Sequence, residues 1–103
     1  MEEKLKALKD LIEKHTLEYF NKVYPGYPED CLKRETTVNI KPGVKYIKID
    51  RGMSGKYMVE VSTGNIYGIK AYGVIHRGHQ YGTLDTINEY FWGDYTAQRR
   101  VRT

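Results

Sequence analysis

His76, Arg77 and His79 stand together in the run His76-Arg77-Gly78-His79, and of all residues here they are the best suited to hold a metal or an anion. Two imidazoles three positions apart in a loop could ligate zinc, with Asp85 or Cys31 as distant third ligands. A structural zinc site needs four ligands, and this spacing supplies two. With Arg77, the same side chains would also contact a phosphate. No metal and no cofactor is assigned. The run Gly52-Met53-Ser54-Gly55-Lys56 falls short of a phosphate-binding loop. It lacks the four-residue spacer, and Tyr57 stands where serine or threonine should follow the lysine. A magnesium-dependent nuclease would need converging carboxylates. Asp50 and Glu60 are the candidates, and both read more simply as solvated strand residues. No catalytic residue is assigned, and the chain reads as non-enzymatic.

Binding chemistry is better represented. The net charge of +4 is uneven: residues 1–35 hold seven basic and eight acidic side chains, residues 36–103 ten basic and five acidic. The basic excess ends in Gln98-Arg99-Arg100-Val101-Arg102, which reads as a tail over 99–103. Ten tyrosines stand against two phenylalanines. Tyrosine offers a flat apolar face with a polar tip, useful in half-buried sheets and on binding surfaces alike. A basic, tyrosine-rich half points to an anionic partner.

The elements that would position these residues follow from periodicity. Over 3–23, Leu5, Leu8, Ile12, Tyr19 and Val23 recur at three- and four-residue steps, with Leu11, Thr16 and Phe20 widening the stripe. That is one long amphipathic helix, with His15 on its apolar side as a core-edge residue. Glu2 and Glu3 suit its positive end. The pairs Glu2–Lys6, Asp10–Lys14 and Glu18–Lys22 each add about 0.3 kcal/mol. Pro25-Gly26-Tyr27-Pro28 ends it, and a polar connection containing Cys31 follows. The period then changes to two, predicting strands over 36–40, 44–50, 56–61 and 65–72. Residues 73–82 read as a glycine-rich loop. Thr86 and Glu89 have capping-box spacing for a short helix over 86–92, stopped by Gly93.

Alternation assigns the faces. A three-residue loop, Ser62-Thr63-Gly64, pairs Val61 with Asn65, Val59 with Tyr67 and Tyr57 with Ile69, with Gly64 in the left-handed region. Ile47, Ile49, Tyr57, Val59, Val61, Tyr67 and Ile69 would then lie under the helix. The other face would show Tyr46, Lys48, Lys56, Met58, Glu60, Gly68, Lys70 and Tyr72. Rings there would stack on bases while lysines meet phosphates. The expected nucleic-acid site is Tyr46, Lys48, Lys56, Lys70 and Tyr72, with His76, Arg77 and His79 and the tail residues Arg99, Arg100 and Arg102.

Length and composition bound the rest. At 103 residues the chain suits a single domain. It divides into a helix over 1–24, a sheet over 36–72, a loop and short helix over 73–98, and the tail. No apolar run approaches the roughly 18 residues of a membrane span. The stretch MEEKLKALKD lacks the features of a secretory signal. A lone cysteine forms no internal disulfide, and a cytoplasmic setting is expected.

The runs GKYMVEVSTGNIYGIKAYG over 55–73 and YGTLDT over 81–86, followed by Trp92-Gly93-Asp94-Tyr95, resemble small proteins encoded by tailed bacteriophages and prophages. The resemblance covers roughly 44–95 and implies a setting, the cytoplasm of a bacterial host cell, rather than a site. It adds two readings to nucleic-acid binding: stoichiometric inhibition of a host defence or transcription protein, and a sponge for a signalling nucleotide. A homodimer is compatible with each. The expectation is an α+β domain, with one long N-terminal helix packed on an antiparallel three- to four-stranded sheet and a short C-terminal helix. Its expected function is non-enzymatic binding of nucleic acid or a nucleotide.

Overall fold

The computed structural model describes residues 2–52, 54–93 and 97–99. Helix α1 (Glu2–Val23) buries Leu5, Leu8, Ile12, His15 and Thr16, the stripe expected of it as far as its fourth turn. Beyond Thr16 it outruns the core, and Val23 and Tyr24 are exposed. A second helix, α2 (Glu29–Thr36), occupies the segment read as a polar connection. Pro28 precedes it, Glu29 and Asp30 sit in its first turn, and Lys33 and Arg34 sit in its last, all in keeping with the helix dipole. It carries no apolar stripe, so periodicity missed it. Thr36 closes this helix instead of opening a strand. No helix among the described residues is long and apolar enough to cross a membrane.

Five antiparallel strands follow as a meander: β1 (Val38–Lys41), β2 (Tyr46–Arg51), β3 (Ser54–Glu60), β4 (Asn65–Ala71) and β5 (Val74–Thr83), adjacent in chain order. The fold is α+β, with one strand more than expected. That strand is β5, which occupies the segment read as a glycine-rich loop. It pairs with β4 at both ends, but Gly68 faces His76 while the neighbouring Tyr67 faces Gln80. The three residues between interrupt the alternation that would have revealed a strand.

The β3–β4 hairpin departs from the expected register by one. Gly64 has φ +77° as anticipated, yet Val59 pairs with Ile66, Met58 with Tyr67 and Tyr57 with Gly68. The loop holds four residues, Val61 to Gly64, because the Gly64 N–H donates to the Glu60 carbonyl at 2.8 Å. Thr63 tightens it, donating its hydroxyl to Glu60 at 2.7 Å and accepting from the Asn65 N–H at 3.1 Å. A one-residue slip exchanges the two faces of a strand. Ile66 therefore enters the core, while Tyr67 joins the other face.

The core joins Leu5, Leu8 and Ile12 of α1 to Val38, Ile47, Ile49, Tyr57, Val59 and Ile66 of the sheet, with Leu84, Ile87, Trp92 and Ala97 closing the remaining side. The expected C-terminal helix is only a 3-10 turn, Ile87–Glu89. The Thr86 hydroxyl does not cap it; it accepts from the Thr83 N–H at 2.9 Å instead. The chain continues into a separate two-stranded ribbon, β6 (Tyr90–Phe91) with β7 (Gln98–Arg99).

Trp92 locks this C-terminal segment to α1. Its ring is wholly buried, and its indole N–H donates to the Ile87 carbonyl at 2.9 Å. Its backbone N–H donates to Nδ1 of His15 at 3.0 Å, and the His15 ring stacks on Phe91. His15 is thus a core histidine whose Nδ1 serves as an acceptor. The next residue must be glycine, since a Cβ on Gly93 would collide with the His15 carbonyl. Replacing His15 by Leu strands a buried N–H and should cost about 2 kcal/mol. Gly93→Ala should cost about 1–3 kcal/mol through overpacking. Urea denaturation measures both, and unchanged midpoints would contradict this account of the lock.

Candidate nucleic-acid interface

Directly paired strand residues share a face, so the ladders identify the sheet surface opposite the core. Tyr46 pairs with Glu60 and Lys48 with Met58. Met58 pairs in turn with Tyr67. On β1, Lys41 faces Lys48 and Asn39 faces Asp50. Tyr46, Lys48, Met58 and Glu60 therefore lie together as alternation predicted. Tyr67 replaces Gly68 among them.

Tyr72, just past the end of β4, lies over this surface. Its hydroxyl donates to Asp50 at 3.1 Å and accepts from Lys41 at 3.1 Å. Lys41 also reaches Asp50 directly, at 3.2 Å. Asp50 is 6% exposed, so this is a nearly buried carboxylate with one tyrosine and one lysine as partners. It is not the solvated strand residue expected. The Tyr72 hydroxyl first, and the Asp50 carboxylate second, hold the Lys41 ammonium above the usual lysine value. Any stability from that shift is complete below the unfolded lysine value and disappears as pH rises through the higher folded one.

Cations collect over the tyrosine rings. Lys48 Nζ lies 4.7 Å and Lys41 Nζ 5.5 Å from the centre of Tyr72, and Lys45 Nζ lies 5.7 Å from that of Tyr46. Arg77 arrives from the interrupted stretch of β5. It donates to the Tyr46 hydroxyl at 2.9 Å and lies 5.9 Å from the centre of Tyr67. These cation–π contacts hold four positive groups on one surface. Tyr72 remains 53% exposed.

Other expected site residues lie elsewhere. The β2–β3 ladder shifts between Ile49 and Asp50, so that the register passes from Tyr57 to Gly55 and skips Lys56. Lys56 instead lines a cleft with Tyr57 and Gly68, two residues of the core-side face. Burial first, and the charge of Arg51 second, push its ammonium below the usual lysine value. Lys70 falls at another ladder shift, between Ile69 and Ala71, and is exposed. His76 and His79 stack on each other with ring centres 3.9 Å apart and line the cleft with Lys56.

The distant ligands imagined for these histidines have other contacts: Asp85 pairs with Lys4 at 2.6 Å, and Cys31 lies 3.6 Å from Arg34. Among the described residues no group of three or more His, Cys, Asp or Glu could hold a metal ion. Arg99 belongs to the ribbon and pairs with Glu89 at 3.3 Å; Arg100 and Arg102 lie outside the described residues. Sequence reasoning missed Lys41, Lys45 and Tyr67. Lys41 would have followed from pairing β1 against β2 and Tyr67 from the four-residue hairpin loop, while Lys45 precedes β2 and alternation gives no signal for it.

No family model, curated protein or solved structure matches the chain.

Tyr72→Phe should remove both hydroxyl bonds and leave the Asp50 carboxylate short of a donor, lowering stability by about 1–2 kcal/mol. It should also bring the Lys41 ammonium back toward the ordinary lysine value. Urea denaturation and a nitrogen-detected NMR titration of Lys41 test the two halves. A titration identical to wild type would show that the tyrosine does not hold the lysine.

Proposed function

We propose that this is a non-enzymatic protein that binds single-stranded nucleic acid across the sheet face of Tyr46 and Tyr72, where the buried Tyr67 ring supports Arg77 from beneath. The supporting observation is the set of four cations, Lys41, Lys45, Lys48 and Arg77, held against those rings. Single strands are bound without strong sequence preference by a positive surface tracking the phosphates and by rings on which bases stack. The two carboxylates on this face subtract little. Asp50 is already paired with Lys41, and Glu60 accepts from Thr63. The exposed part of Tyr72 offers a surface to a base, while Lys48 and Arg77 offer charge to the backbone on either side.

A second reading, direct contact with a host protein, draws on a different surface. Phe20, Tyr24 and Tyr27 form a ring cluster beyond the buried part of α1, with centroids 5.5–6.3 Å apart and Tyr24 51% exposed. Exposed rings of this kind serve as anchors in protein interfaces.

The two readings separate by salt and by mutation. With three phosphates neutralised by Lys45, Lys48 and Arg77, the logarithm of affinity for an oligothymidylate should fall against the logarithm of salt with a slope of about −2, and Lys48→Ala should reduce that slope by about one. Tyr46→Ala with Tyr72→Ala should weaken binding more than about tenfold. Tyr24→Ser with Tyr27→Ser should leave it unchanged. Fluorescence titration reads all of these. A flat salt response, or full affinity without Tyr46 and Tyr72, would remove the nucleic-acid reading.

A further inference from the structure

The cleft lined by Lys56 and the two stacked histidines has a chemistry of its own. It encloses about 230 Å³ between Lys56, Tyr57, Ile69, His76, His79 and Tyr81, with Gly55 and Gly68 also lining it. That is below the roughly 300–1,000 Å³ of sites for drug-sized molecules, so it suits a small group. Three of the side chains carry basic nitrogen, and none is a carboxylate. The glycines keep the space open. A Cβ on Gly68 would press on Tyr81 and His79 at 3.2–3.3 Å, and one on Gly55 would press on Ile69 at 3.0 Å as well as on Tyr72, outside the cleft.

We propose that this cleft is a phosphate-binding site formed by Lys56, His76 and His79. Both ladder irregularities are needed to make it. The shift at Ile49/Asp50 brings Lys56 in beside Tyr57, and the interrupted stretch of β5 turns His79 toward Gly68 while sending Arg77 to the opposite face. Nδ1 of His76 is buried and has no hydrogen-bond partner among the described residues, and a rotation of its ring toward the cleft would bring that nitrogen to an anionic oxygen. The half-buried ammonium of Lys56 is less stable there than in water, and a bound anion offsets that cost. Separate donors on a lysine and two imidazoles suit the several oxygens of a tetrahedral phosphate. The phosphate could belong to a small phosphorylated molecule or to the end of a nucleic-acid strand. The site does not depend on the nucleic-acid reading, because none of its basic side chains is among the cations held against Tyr46 and Tyr72, although Gly55 in its lining lies against the Tyr72 ring.

The test is isothermal titration of the full chain with inorganic phosphate in a non-phosphate buffer, repeated with adenosine 5′-monophosphate and with adenosine. Saturable binding of the two phosphorylated probes, with adenosine inert, is expected. Lys56→Met should weaken it by about tenfold or more, the loss expected when a hydrogen bond to a charged group is removed. His79→Ala changes an exposed side chain and serves as the second variant should Lys56→Met fail to fold; it should weaken phosphate binding as well. Tyr46→Ala should leave phosphate binding intact, which separates this site from the tyrosine surface. A 5′-phosphorylated oligonucleotide that competes with phosphate better than its 5′-hydroxyl twin assigns the group to a strand end; equal competition assigns it to a small molecule. No saturable binding at millimolar phosphate, or binding unaltered in a folded Lys56→Met or His79→Ala protein, would overturn the proposal.

Discussion

Val59 stands opposite Ile66 across β3 and β4, and that pairing decides what each face of the sheet can do. Because strand side chains alternate, one register places Ile66 beneath α1 and Tyr67 on the far face, while its neighbour by one residue does the reverse. The four-residue loop closed by Gly64 and Thr63 holds the first arrangement. Leu84 reinforces it, donating its N–H to the Gly64 carbonyl at 2.9 Å and packing into the core. Gly68 then falls opposite Tyr57, where its missing side chain admits Tyr81 and His79.

Two irregularities distribute the cations. A regular ladder would send Lys56 and Lys48 to the same surface. The shift beside Asp50 separates them, placing Lys56 in the cleft with Tyr57. On β5 three residues intervene between the partners of Tyr67 and Gly68, and within them Arg77 and His79 part company. Bulges commonly re-aim side chains next to functional sites. Here they supply basic groups to both faces of one small sheet.

Much of this architecture was legible in the residues, and the exceptions have physical causes. α1 announced itself through a stripe three and four residues apart, and its acidic start and proline-glycine stop agreed with that stripe. α2 has charge order but no apolar face, so periodicity was silent on it. In β4, Ile66, Tyr67 and Ile69 are apolar on both sides, and a hairpin register argued from the apolar pattern alone chose the wrong neighbour. In β5, three extra residues hid a ten-residue strand. The candidate site shows the same division. Tyr46, Lys48 and Tyr72 share the surface that alternation assigned to them. Lys56 was misplaced because it falls at a ladder shift that leaves no trace in composition, Lys70 because the β3–β4 register slips by one, and Lys41 went unnoticed because the β1 edge had not been paired.

The central claim, that one sheet face bears the nucleic acid, is tested most directly by mapping amide and side-chain NMR shifts during titration with a short single-stranded oligonucleotide. The account predicts that Tyr46, Lys48, Tyr67, Tyr72 and Arg77 move together and saturate at one stoichiometry, while Leu8 and Ile12 on α1 stay still. Perturbations confined to the α1 end around Tyr24 and Tyr27, or none at all, would contradict it.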